Sequence, residues 1–121
     1  MDKIISYKDL IVWKRGIELT QEIYFVTSKF PRNELYGLAS QMQRAAVSIP
    51  SNIAEGQQRK NLKEYLQFLR IALGSLAELE TQTIIAKNVY SKIDYKKIDS
   101  LMIETQKMLN VLIKKLESLR F

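Results

Sequence analysis

Residues 98–119 read IDSLMIETQKMLNVLIKKLESL, and their spacing decides the fold. Ile98, Met102, Thr105, Leu109, Leu112, Leu116 and Leu119 recur at alternating steps of four and three. Those steps keep side chains on one face of a helix with 3.6 residues per turn. Unbroken alternation of this kind makes the seam of helices that pack at a shallow crossing angle of about +20°, as in coiled coils and helix bundles.

Working back from this seam, a turn over residues 88–94 separates it from a second long run. Asn61-Leu62-Lys63-Glu64 has the form of a capping box, in which the first and fourth side chains satisfy exposed amides. Leu62, Leu66, Leu69, Leu73, Leu76 and Thr83 then form a stripe, which Phe68, Ile71, Ala72, Ser75 and Leu79 broaden. A face wider than one bundle interior needs points to a subunit interface. Small residues gather here (Ala72, Gly74, Ser75, Ala77) and upstream (Ala45, Ala46, Ser48, Ala54). Gly74 costs a helix about 1 kcal/mol relative to Ala, and close approach of another helix within the chain is the preferred explanation over a contact between subunits.

Upstream again, Asn33 and Glu34 suit the start of a helix whose buried stripe is Leu35, Leu38, Met42, Ala45, Ile49 and Ile53. Pro50 lacks an amide and crowds the carbonyl of Ala46, so a kink is expected there, with the periodicity resuming to about Gln58. Ser48 or Asn52 is expected to satisfy the freed carbonyl, and Glu55 to pair with Arg44 or Arg59. The alternative makes Asn52 and Glu55 a polar contact for a partner. In the first segment Ser6-x-x-Asp9 forms another capping box, followed by a stripe of Leu10, Trp13, Ile17, Thr20, Tyr24 and Thr27. Phe30-Pro31 ends it, because a residue before proline avoids the helical region. The expectation is all-α: one domain over residues 1–121, with helices at about 7–28, 34–58, 62–89 and 95–120. Short connections between helices of matched length give an antiparallel up-down-up-down four-helix bundle, its second helix kinked at Pro50.

Composition narrows the chemistry. Hydrophobic residues make up 46% and charged residues 26%, an ordinary globular balance. Four glycines and two prolines are too few for the many turns of an all-β fold. The absence of Cys and His removes thiolate and imidazole metal sites, cysteine nucleophiles, Ser-His-Asp catalysis and the Glu-x-x-His sites of di-iron bundles. No catalytic residues, cofactor or metal are therefore expected. Met42, Met102 and Met108 read as core filler, and Trp13 as core or interface. No signal peptide or membrane span is apparent, and a cytoplasmic location is expected.

The net charge is +6 and its distribution is uneven. Residues 29–70 carry seven basic side chains (Lys29, Arg32, Arg44, Arg59, Lys60, Lys63, Arg70) against three acidic (Glu34, Glu55, Glu64). Arg59, Lys60 and Lys63 fall at the turn between the second and third helices, with Arg70 two turns further along the face of Lys63. Together with Arg44, they are the candidate contacts for nucleic-acid phosphates, to which Tyr65 could add a stacking surface. Otherwise they form a solvated helix end with Tyr65 in the core.

One set of residues also carries a family resemblance. Tyr36-Gly37-Leu38, Ser40-Gln41, Arg44-Ala45-Ala46, Ser48-Ile49-Pro50 and Asn52-Ile53-Ala54-Glu55-Gly56 occur in order. So do Asp9-Leu10, Val12-Trp13, Phe30-Pro31, Phe68-Leu69, Gly74-Ser75 and Glu78-Leu79. This pattern, spanning nearly the whole chain, resembles the bacterial four-helix-bundle proteins encoded in intervening sequences of 23S ribosomal RNA genes. The resemblance implies a ring-like homo-oligomer, a pentamer. That family is in turn similar to the basic accessory variability protein of diversity-generating retroelements, which works with nucleic acid and a reverse transcriptase.

These observations lead to the expectation of a non-enzymatic homo-oligomer that binds structured RNA, or RNA or DNA more generally, through basic patches, mainly by charge and shape. The first rival is an oligomeric protein–protein scaffold whose charge is incidental. The second is a metal-dependent ribonuclease using carboxylates, against which stands the dispersal of Asp and Glu among basic residues.

Overall fold

The structure is a computed structural model and describes residues 6–119. Among the described residues there is no strand, and four α-helices follow one another: α1 Ile11–Thr27, α2 Leu38–Gln57, α3 Leu62–Val89 and α4 Lys96–Glu117. Single 3-10 turns at Tyr7–Asp9 and Arg32–Glu34 precede α1 and α2. Each helix packs on the next, and α4 returns to α1, so the four enclose one core. Cross-helix pairs run in reversed order, as antiparallel neighbours give. Gly16 meets Pro50 while Thr27 meets Gln43, and Arg15 pairs with Glu104 while Glu22 pairs with Lys97. Arg70 pairs with Glu117 while Lys87 pairs with Asp99.

Leu19, Ile23, Met42, Ile49, Ile53, Leu66, Leu69, Leu76, Leu79, Ile98 and Leu109 are wholly buried between the helices. Burying a side chain of this size contributes about 1.5–3 kcal/mol, which makes the interior the main source of stability. Three buried threonines, Thr27, Thr83 and Thr105, return their hydroxyls to the carbonyl four residues back, so each is satisfied without leaving its helix.

The α1 face differs from the expected one. Leu10 and Thr27 of the expected stripe are buried together with Val12, Gly16, Leu19, Ile23 and Val26, whereas Trp13, Ile17 and Thr20 lie at its margin and Tyr24 is exposed. The capping box at Ser6 and Asp9 is present, but it closes the 3-10 turn and not α1. Leu10 therefore lies in extended backbone ahead of α1 and does not set its phase. Because α1 also carries Ile11, Phe25 and other apolar residues outside the core stripe, its sequence offers two competing faces.

α2 starts at Leu38, four residues later than expected. Asn33 lies within the 3-10 turn and caps nothing, while Glu34 Oε1 accepts the Leu38 amide at 3.2 Å. Leu35 precedes the helix and is 55% exposed. α2 then continues through Pro50 to Gln57. The carbonyl of Ala46, which Pro50 cannot serve, shares the hydroxyl of Thr20 from α1 at 3.1 Å with the Gly16 carbonyl, which accepts it at 2.8 Å. The expected donors are engaged elsewhere: Asn52 Nδ2 donates to Ser48 O at 2.7 Å and to Ser48 Oγ at 2.9 Å, and Ser48 Oγ pairs with Ser75 Oγ at 2.8 Å. Beside this contact a Cβ on Gly16 would lie 3.3 Å from Pro50 Cβ, so glycine lets α1 approach the proline ring.

On α3 most of the expected breadth turns inward, Ala72 and Leu79 being wholly buried and Phe68 and Ser75 half-buried. Ile71 is exposed, and a Cβ built on Gly74 would touch nothing within 4 Å, so no helix of this chain explains that glycine. α4 keeps its seam as far as Leu109, joined by Leu101; beyond it Ile113 is the buried residue, Leu112 and Leu116 are only partly covered, Leu119 is exposed, and the expected last residue, 120, lies outside the described residues.

Candidate nucleic-acid interface

The α2–α3 turn is built by close packing. Gly56 is buried near the end of α2, where a Cβ would come within 2.8 Å of Phe68 Cβ and 3.0 Å of Tyr65 Cδ1. α2 stops at Gln57, and Asn61 opens α3 by accepting the Glu64 amide at 3.1 Å. Only residues 58–61 lie between the helices, so Arg59 and Lys60 are fixed at the tip and Lys63 in the first turn of α3. Tyr65 is half-buried against the core, and desolvation raises the pKa of its phenol.

The candidate residues are not equivalent. Arg59 donates to Glu55 Oε2 at 2.9 Å, lies 3.7 Å from Glu64 Oε1, and sits 4.9 Å above the Phe68 ring. Its charge is shared among neighbours, and the expected pairing with Glu55 is one of these contacts. Arg70 is paired with Glu117 of α4. Lys60 and Lys63 are exposed and make no ion pair among the described residues. Lys63, Gln67, Arg70 and Ile71 line one shallow groove of about 450 Å³.

Arg44 stands apart. It lies fifteen residues before Arg59, about 20 Å along the helix axis at 1.5 Å per residue. It borders a different, polar cleft of about 310 Å³ between α2 and α3, with Gln41, Ser48, Ser75, Glu78 and Gln82. Gln82 is buried there, and its Oε1 meets no protein donor.

The fold adds cations that the linear charge pattern does not flag. Pairing of Arg70 with Glu117 sets the last turn of α4, with Lys114 and Lys115, in the α2–α3 half of the bundle. Both are exposed without an ion pair among the described residues. The signal was present in the sequence as a lysine pair near the end of the seam, and antiparallel register sets that pair level with residues 72–73 of α3, about 15 Å along the axis from Lys63. Among the described residues no three acidic side chains converge where they could hold a metal ion, and no helix is long and apolar enough to cross a membrane.

The family model described as 23S rRNA-intervening sequence protein matches residues 8–111, which include all four helices up to the last turns of α4. The chain belongs to that family. No curated protein matches it significantly.

Proposed function

We propose that this member of the 23S rRNA-intervening sequence protein family is a non-enzymatic homo-oligomer that binds structured RNA, or nucleic acid more generally, through the basic end of its bundle. The observation that supports the reading is that Lys60 and Lys63 at the α2–α3 turn, and Lys114 and Lys115 further along the same half of the bundle, are exposed and not paired with a carboxylate among the described residues. Unpaired cations clustered on one surface attract phosphates by counterion release, and repetition in an oligomer multiplies weak contacts. Arg59 and Arg70 take part by exchanging an exposed carboxylate for a phosphate, a small cost because such pairs contribute little in water. Arg44 acts separately, toward nucleic acid that runs along the α2–α3 side. The non-enzymatic reading rests on a chain without His or Cys whose carboxylates are dispersed.

The test is fluorescence anisotropy with labelled structured RNA, duplex DNA and a polyanion control, titrated across salt. Tight binding at low salt with a steep salt slope, and a preference for RNA over the control, is the expected result. No binding at low salt overturns it. Exposed Ile11, Phe25, Ile84 and Val111 favour the alternative of a protein-recruiting scaffold. That reading predicts partner capture that survives neutralisation of the basic end.

A further inference from the structure

The polar cleft that Arg44 borders is set by the register of α2 against α3. The two helices run antiparallel, and the hydrogen bond between the Ser48 and Ser75 hydroxyls fixes which residues stand level. One helical turn farther from the α2–α3 connection, Arg44 falls level with residue 79, between Glu78 and Gln82. Glu78 and Gln82 are four residues apart and so share a face of α3. Ala45 lies between the helices, and the paired serines close one end of the cleft. Among the described residues that line it, none is aromatic or a large apolar side chain.

Three groups in this cleft lack the partner their chemistry calls for among the described residues. Gln82 is only 7% exposed, yet its Oε1 meets no donor. Gln41, which falls level with it, is exposed and does not serve it. A buried acceptor left unpaired loses its hydration for nothing, and most such atoms in folded proteins are satisfied. Packing does not explain the amide either, since an apolar side chain at position 82 would fill the same face without that loss. At the mouth, the Arg44 guanidinium and the Glu78 carboxylate are exposed and form no ion pair, with each other or with any other described residue.

We infer that this cleft binds a small zwitterion of the α-amino acid class, its carboxylate on Arg44 and its ammonium between the Glu78 carboxylate and Gln82 Oε1. An ammonium only donates, so it can serve a buried acceptor and a carboxylate together. A carboxylate matches the planar fork of arginine with two parallel hydrogen bonds. A simple cation would leave Arg44 unserved and be repelled by it. A phosphate would face Glu78 and leave Gln82 Oε1 without a donor. A nucleobase carries donors and acceptors, but its faces would find no side chain here on which to stack. A volume of about 310 Å³ is at the small end of ligand pockets, as a single amino acid requires. The site is separate from Lys60 and Lys63 and does not depend on RNA binding there. A bound carboxylate and an RNA phosphate would compete for Arg44 alone.

The experiment titrates the full chain with each common α-amino acid in turn, reading heat by calorimetry and the Gln82 side-chain amide by NMR. At least one amino acid should bind and move the Gln82 resonances. Its analogues lacking the ammonium or the carboxylate should each bind about tenfold more weakly or worse. Arg44→Gln and Glu78→Gln, both at exposed sites, should each weaken binding by a similar factor with helicity unchanged by circular dichroism. Gln82→Leu should abolish binding while raising the thermal midpoint of the ligand-free chain, because it removes the unpaired acceptor. If no amino acid moves the Gln82 resonances at millimolar concentration, the cleft holds water only and the inference fails. Binding that survives both Arg44→Gln and Gln82→Leu lies elsewhere and also overturns it. So does a response to free nucleosides and not to amino acids, which would make the cleft a base pocket. RNA affinity is read in a different assay, so this site and the basic patch can fail independently.

Discussion

The two ends of the bundle solve the same problem, joining helices, by different means. Where α1 leads to α2 and α3 to α4, polar groups find fixed partners. The Tyr90 hydroxyl donates to Glu34 Oε2, while Glu34 Oε1 accepts the Leu38 amide. Phe30 packs on Tyr90 with centroids 4.9 Å apart, the Tyr95 hydroxyl reaches the carbonyls of Ala86 and Tyr90, and Lys87 meets Asp99 at 2.7 Å. At the α2–α3 end one tight turn suffices, held by Gly56 and the Asn61 cap. Cations without an ion pair among the described residues stand at both ends, Lys60 and Lys63 at this one and Lys29, Lys92 and Lys96 at the other, so the ends differ in how many side chains are matched across the helix connections.

The sharpest way to break this comparison is to attack the matched end. Phe30→Ala removes a buried ring that anchors Tyr90, and should cost about 3–5 kcal/mol in chemical denaturation. Nucleic-acid affinity per folded molecule should stay unchanged. Next, combined reversal of Arg59, Lys60 and Lys63 to Glu should weaken RNA binding by about tenfold or more and flatten the salt slope by about three. Helicity and melting should scarcely move. Unchanged affinity would remove this end from the interface. A smaller effect is expected from Asn61→Ala, which deletes the α3 cap and should cost about 1 kcal/mol of stability. A much larger loss would mean that the α2–α3 end bears more of the fold than its sparse contacts indicate.

The smallest effect is on pH. The hydrogen bond from Tyr90, followed by that from the Leu38 amide, holds the Glu34 carboxyl below its ordinary pKa of 4.5. A depressed folded-state pKa stabilises above the unfolded value and loses that contribution as pH falls through the folded value. Thermal midpoints recorded on descending through the acid range should therefore fall less steeply for Tyr90→Phe than for the parent.

How much of this was readable in the sequence differs from helix to helix. α4 was legible because its polar and apolar residues segregate cleanly, so one phase fits from Ile98 to Leu109, beyond which the core position passes to Ile113. α1 was not, because apolar residues occur around most of its circumference and only contact with Pro50 selects the Gly16 side. The start of α2 was misplaced because capping by Glu34 from outside the helix leaves the same residues in sequence as capping by Asn33 within it. At the basic end, Arg59, Lys60 and Lys63 were visible as neighbours in the chain, and Arg70 as their extension. Lys114 and Lys115 were hidden by sequence distance, and the separation of Arg44 by the length of α2. Charge runs report local clusters, whereas a binding surface is assembled by register.

The contact of Thr20 with the Ala46 carbonyl bears on how this sequence can diverge. The carbonyl needs a donor only because residue 50 is proline, and the donor comes from another helix. Thr20→Val alone orphans a carbonyl at a cost of about 1–3 kcal/mol. With Pro50→Ala already in place, the amide at position 50 is restored and the same change should cost little. The two positions are therefore epistatic: one order of substitutions passes through a damaged intermediate and the other does not. Sequences that keep proline here should retain a hydroxyl at position 20, and those that lose it are free to drift.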